Sequence, residues 1–167
     1  MYGEFNYNHI VMIQNRPLSK NFSLREMLVS ETAARFNFTE QYDPPPAVVK
    51  NLEQLCLKIL QPLRDSLKYP IHVNSGYRCP RTNTSIGGAS KSQHLTGHAA
   101  DIEDYQNGNE YLLRKIVELK LPFDQIINEF GFKWVHVSFD PKRNRRQILE
   151  AVKDKNHKTV YKTLKLK

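Results

Sequence analysis

Apolar residues recur along parts of this chain with two different periods. Leu52, Leu55, Cys56, Ile59, Leu60, Leu63 and Leu67 return every third or fourth position, the spacing of one helix face. They predict a long amphipathic helix ending near Lys68. Upstream, Ser23 and Glu26 have the spacing of a capping box and predict a helix from there to about Phe36. The run Asp43-Pro44-Pro45-Pro46 breaks the chain between the two. A third helix is expected from about Asn109 to Lys120, closed by Pro122. Shorter runs, apolar or alternating, read as strands near residues 71–75, 99–102, 125–129, 133–139, 147–152 and 158–164. Helices first and antiparallel strands later predict an α+β fold, with the helices packed on one face of a small, mainly antiparallel sheet.

The length of 167 residues suits a single domain over residues 1–167, with basic strands over 147–167 at its end. No repeat or low-complexity tract is visible, and no stretch approaches the ~20 apolar residues of a membrane span. Of the two cysteines, Cys56 belongs to the apolar stripe and reads as a buried thiol. A bridge from it to Cys79 is open but unneeded. So few cysteines suggest synthesis in a reducing compartment. The first nine residues lack the basic start and apolar core of a signal peptide, so cytoplasmic synthesis is expected.

The formal charge is +8, and much of it falls late, in Lys142, Arg143, Arg145 and Arg146 and in the lysines from Lys153 onward. A basic surface attracts polyanions such as nucleic acid, anionic wall polymers or carboxylate-bearing peptidoglycan. Nucleic-acid binding calls for aromatic platforms among the basic residues, and the tail supplies only Tyr161. A solvated basic sheet edge that resists pairing is the plainer account.

The chemistry concentrates in Ser92-Gln93-His94-Leu95-Thr96-Gly97-His98-Ala99-Ala100-Asp101, followed later by Trp134-Val135-His136. His94, Asp101 and His136 offer two imidazoles and a carboxylate, a set that holds a catalytic zinc and leaves a position for water. Asp101 sits in a short apolar run that reads as a buried strand, where a carboxylate is costly unless it meets a cation. Gly97 suggests a tight bend or a close backbone approach. His136 shares one face of its strand with Trp134 and Ser138, while Val135, Val137 and Phe139 take the other. Taken singly, it reads better as a core imidazole bonded to a backbone carbonyl; beside His94 and Asp101 the ligand role is the better reading. His98 is four residues from His94, as in a helical two-histidine site, but Gly97 and the strand-like run argue against a helix there. His9, His72 and His157 lack a supporting constellation.

Ser92, His94, Gly97, Ala99 and Asp101 match S-x-H-x-x-G-x-A-x-D and precede W-x-H, which resembles the zinc peptidases of the M15 class, the D-alanyl-D-alanine carboxypeptidase-like enzymes. The block Ser75-Gly76-Tyr77-Arg78, then Asn83, then Gly87-Gly88-Ala89 is similar to the phage-type members. The resemblance covers about residues 21–151 and implies a hedgehog and DD-peptidase-like fold, a zinc ion, and peptidoglycan stem peptides as substrate. Arg78 would polarise the scissile carbonyl or grip a substrate carboxylate, with Ser92 and Trp134 as further substrate contacts. Many relatives carry a glutamate three residues before the last histidine, where this chain has Lys133. A hairpin at Gly131 would instead fold Glu129 back towards His136, which makes Glu129 the expected base, with Asp124 and Glu103 in reserve. A monomeric peptidase acting on the wall after lysis or from a virion is expected, an endopeptidase in preference to a D,D-carboxypeptidase, with both cuts open. A non-catalytic wall-binding or virion module on the same fold is the alternative.

Overall fold

The computed structural model describes residues 16–166. The N-terminal stretch that bears on a leader peptide, with His9, lies outside them.

The capping box forms as expected. The Ser23 backbone N–H donates to Glu26 Oε2 at 2.7 Å, and the Glu26 N–H returns to Ser23 Oγ. The helix it opens, however, is two. α1 (Leu24–Leu28) stops, and α2 (Glu31–Phe36) restarts on a second cap, where Ser30 Oγ accepts from the Ala33 N–H at 3.2 Å. The break is held from outside, because the Met27 carbonyl takes the Tyr77 N–H and the Leu28 carbonyl takes Gln41 Nε2. Gln41 is fully buried and also bonds the Tyr77 carbonyl and the Cys79 N–H. One amide thus ties the kink to the turn that carries Arg78.

The long helix begins earlier than its apolar stripe, with Pro46 in its first turn, where a missing N–H costs nothing. It runs as α3 (Pro46–Leu55), a π turn (Cys56–Leu60) and α4 (Gln61–Leu67). The π turn ends two residues before Pro62. Slipping the register there, with the Gln61 N–H on the Cys56 carbonyl, accommodates a proline that would break a plain α-helix. Lys68 ends the helix in the left-handed region.

Five further elements lead towards the sheet's far side: β1 (His72–Ser75), α5 (Pro80–Ser85), a 3-10 turn (Gln93–Thr96), β2 (Ala99–Glu103) and α6 (Asn109–Glu118). The strands β3 (Gln125–Glu129), β4 (Trp134–Ser138), β5 (Gln147–Lys153) and β6 (Thr159–Thr163) complete an α+β architecture. The sheet order is β1-β2-β4-β3-β5-β6, antiparallel throughout except where β3 runs parallel to β5. Val73, Ala100, Ile102, Val135, Val137 and Ile126 project into the core with Leu52, Ile59, Leu63, Leu112 and Ile116 from the helices. The helices therefore cover one face, and the alternate residues Asp101, Glu129, Trp134 and His136 belong to the other. At the outer edge, Lys158 just before β6 and Lys162 on it are exposed, in keeping with an edge that discourages further pairing. Cys56 and Cys79 are both buried and free. No helix among the described residues is long and apolar enough to cross a membrane.

Candidate metal centre

Three buried donors converge on the sheet face opposite the helices. Strand pairing sets Asp101 of β2 beside His136 of β4, and the 3-10 turn lowers His94 onto them. His94 Nε2 lies 3.1 Å from His136 Nδ1 and 3.3 Å from Asp101 Oδ1, and His136 Nδ1 lies 3.1 Å from the same oxygen. A tetrahedral zinc with bonds of about 2.0–2.1 Å has ligand edges of roughly 3.3–3.4 Å. The three donors thus nearly form one face of that tetrahedron, and their chemistry suits the ion.

The surroundings prepare them for it. Nδ1 of His94 is 2.6 Å from the Gly76 carbonyl. A carbonyl only accepts, so Nδ1 bears the proton and Nε2 keeps its lone pair for a metal. The Arg78 N–H donates back to the His94 carbonyl at 3.2 Å, so the two turns brace each other. Burial lowers the pKa of His94, against the opposing pull of Asp101. Burial would raise that of Asp101, but the charges and hydrogen bonds of His94 and His136 outweigh it and hold the carboxyl well below the usual range. Both directions favour the forms that bind metal.

The bend that delivers His94 depends on Gly97. It sits at φ +73°, and a Cβ there would meet the Val48 carbonyl oxygen at 2.7 Å. The turn is 3-10 rather than α and ends at this glycine. His98 therefore leaves the cluster and pairs with Thr96 Oγ1 at 2.8 Å. The sequence signal against a helix across both histidines is met, although His94 itself does lie on a helical turn. Beneath it, Gln93 Nε2 donates to Asp124 Oδ2 at 2.9 Å, while Arg145 clasps Asp124 through Nε and Nη2 at 2.8 and 2.6 Å.

The remaining candidate residues lie in different surroundings. Glu129 is 8 % exposed. Burial foremost, with the Asp101 charge adding, raises its pKa, opposed by His136, Arg78 and Lys153. Asp124 is fully buried with its carboxylate engaged by Arg145 and Gln93, and those bonds hold its pKa low despite burial. Glu103 accepts from Asn74 at 2.6 Å, and on β1 its neighbour is the exposed His72. His157 is exposed in the β5–β6 turn. Arg78 donates from Nη2 to Asp101 Oδ2 and from Nε to Ser75 Oγ at 2.8 Å. A cleft of about 560 Å³ along β1 meets the site at Ser75 and Arg78. Ser92 is half-buried at the head of the His94 turn. Trp134 pairs with Glu129, its ring edge-on to Phe130 at 5.8 Å. Asn83 secures the 86–89 loop through the Ala89 carbonyl and the Gly88 N–H. Sequence reasoning missed the Gln93–Asp124–Arg145 clasp and the Gly76 acceptor. A glutamine adjoining a ligand was the one local hint of the first, and a backbone acceptor leaves no residue-type signature.

Comparison with known proteins agrees with this geometry. A profile of the family described as Peptidase M15 matches residues 20–138, which include all three donors. A 44-residue stretch, 26% of the chain, is 48% identical to part of the zinc D-Ala-D-Ala carboxypeptidase of Streptomyces albus G. The match spans 17% of that relative's length. With the family profile spanning most of the chain and the motif residues assembled in space, the protein belongs to the M15 peptidase family.

Proposed function

We propose that the protein is a zinc-dependent peptidase that cleaves peptidoglycan stem peptides, folded as one catalytic unit and active as a monomer. The observation that carries this reading is the triangle of His94, Asp101 and His136 donors with sides of 3.1 to 3.3 Å. Zinc held there supplies Lewis acidity, which polarises a carbonyl and acidifies water. The chain's own residues supply the rest. Glu129 takes the proton of the attacking water and passes it to the departing amine. Its raised pKa brings a carboxyl closer to the range in which both transfers are easy. Asp124 is unsuited to that work, since its oxygens are already spent on Arg145 and Gln93.

Arg78 bears on how the substrate is held. Gripping a terminal carboxylate takes two parallel N–H groups of the fork. Here one N–H of Nη2 and that of Nε are engaged by Asp101 and Ser75, which leaves Nη1 and the second N–H of Nη2 for a scissile carbonyl or a terminal carboxylate. The same arginine therefore serves either cut, and cleavage within the stem is the reading put to the test. Ser92 and Trp134 flank the donors as substrate contacts, and the exposed lysines at the β6 edge suit the anionic wall.

Digestion of purified sacculi by the zinc-loaded protein, read by mass spectrometry, tests the reading. New internal amino ends are expected. Free D-alanine without them would make it a carboxypeptidase. No product at all would favour a non-catalytic wall-binding module, the alternative that Lys133 at the common glutamate position keeps in play.

A further inference from the structure

β5 and β6 lie beyond residue 138, where the family match ends, yet they extend the face of the sheet that carries the donors. Pairing sets Trp134 opposite Glu129, Glu129 opposite Ala151, and Ala151 opposite Tyr161. Directly opposed residues project to the same side. The four therefore form one row across β4, β3, β5 and β6, beside the row that holds Asp101 and His136.

Neighbouring strands are about 4.8 Å apart, so the Tyr161 and Glu129 backbones are separated by roughly 10 Å. Between them stands only the methyl of Ala151, which is fully buried. A phenol laid across that methyl would cover most of the span, and the Glu129 charge acts on the Tyr161 hydroxyl. Burial and the nearby carboxylates of Glu129 and Asp101, against Arg78, keep that phenol protonated. The ring is 55 % exposed, and its hydroxyl has no hydrogen-bond partner among the described residues. Other side chains of the same hairpin are spoken for: Lys153 Nζ donates to Thr159 Oγ1 at 2.8 Å and sits over the Phe130 ring.

We propose that Tyr161 contacts the substrate, its hydroxyl donating a hydrogen bond to the carbonyl oxygen of the peptide bond being cut. The proposal rests on the peptidase reading above. Such a donor matters most when negative charge gathers on that oxygen, so it acts chiefly on turnover. A tyrosine that merely covers the sheet edge would act on neither turnover nor ligand binding through its hydroxyl.

Tyr161→Phe removes only the hydroxyl, and circular dichroism and zinc content should match the parent. On soluble muropeptides kcat should fall on the order of 10²-fold, with KM little changed. Phosphinate isosteres of L-Ala-D-Glu and of D-Ala-D-Ala, titrated calorimetrically, mimic the tetrahedral anion without requiring turnover. The isostere that binds should bind the variant at least tenfold more weakly. Unchanged kcat, a rise in KM alone, equal binding of the isostere by both proteins, or binding by neither would overturn the proposal. Should the parent release no product yet bind an isostere more tightly than the variant, the peptidase reading falls while the Tyr161 contact stands.

Discussion

Replacing Gly97 by alanine tests whether the seat of the His94 turn is set by backbone packing. Two costs add at this position. An L-residue held at φ +73° pays about 1–2 kcal/mol. The new methyl would also lie 2.7 Å from the Val48 carbonyl oxygen and 3.2 Å from Leu52 Cγ. Backbone cannot swing aside as a side chain can, so overpacking adds a further ~1–3 kcal/mol. The expected loss is about 2–5 kcal/mol in urea unfolding of the metal-free protein. Gly87 is the control: its φ is +69° but nothing lies within 4 Å of its Cβ position, so Gly87→Ala should cost only the conformational part, about 1–2 kcal/mol. Because the displaced turn carries His94, Gly97→Ala should also weaken zinc binding, tenfold for each ~1.4 kcal/mol of misplacement, while Gly87→Ala should leave it intact. The reasoning is refuted if the two variants lose equal stability, or if Gly97→Ala unfolds readily yet binds zinc as the parent does.

Other consequences follow from the same geometry. Single replacement of His94, Asp101 or His136 by alanine should abolish stoichiometric zinc; elemental analysis that finds a tightly held ion in all three variants would dismiss the centre. Glu129→Gln should keep zinc and lose ~10²-fold or more in turnover, whereas Glu103→Gln should be mild. The same variant has a stability signature. Because the folded pKa of Glu129 is raised, its contribution is fully present below the unfolded value near ~4.3 and is lost as pH rises through the folded one. Metal-free Glu129→Gln should therefore melt higher than the parent at pH 7, a gap that closes towards pH 4 and whose absence would mean the carboxylate is well solvated. Arg145→Gln should cost about 3 kcal/mol at neutral pH by stranding a buried carboxylate. Asp124 has a depressed folded pKa, so that loss should shrink as pH falls below ~4; chemical denaturation across pH measures it.

Periodicity and short-range spacing were enough for much of this protein. The heptad-like return of Leu52 to Leu67 marks a buried helix face whatever surrounds it, and the Ser23–Glu26 box closes within four residues. Alternation around His136 places Trp134, His136 and Ser138 on one face, because side chains on a strand can only alternate. The donor set was legible for a related reason: binding zinc demands particular residue types, and those leave a pattern. What pattern could not carry was anything fixed by partners distant in the chain. The helix expected to run from Ser23 to Phe36 is broken because Gln41 and Tyr77 capture its carbonyls. Arg78 reads from sequence as a free fork, but Ser75 and Asp101 claim two of its nitrogens once β1 and β2 pair. Asp124 looked like a spare base until Arg145 closed on it. Tyr161 reached the Glu129 row only through two successive strand pairings. Hydrophobic periodicity and ligand chemistry are local properties of a chain, whereas which polar group satisfies which is decided only when distant segments are brought within hydrogen-bonding distance.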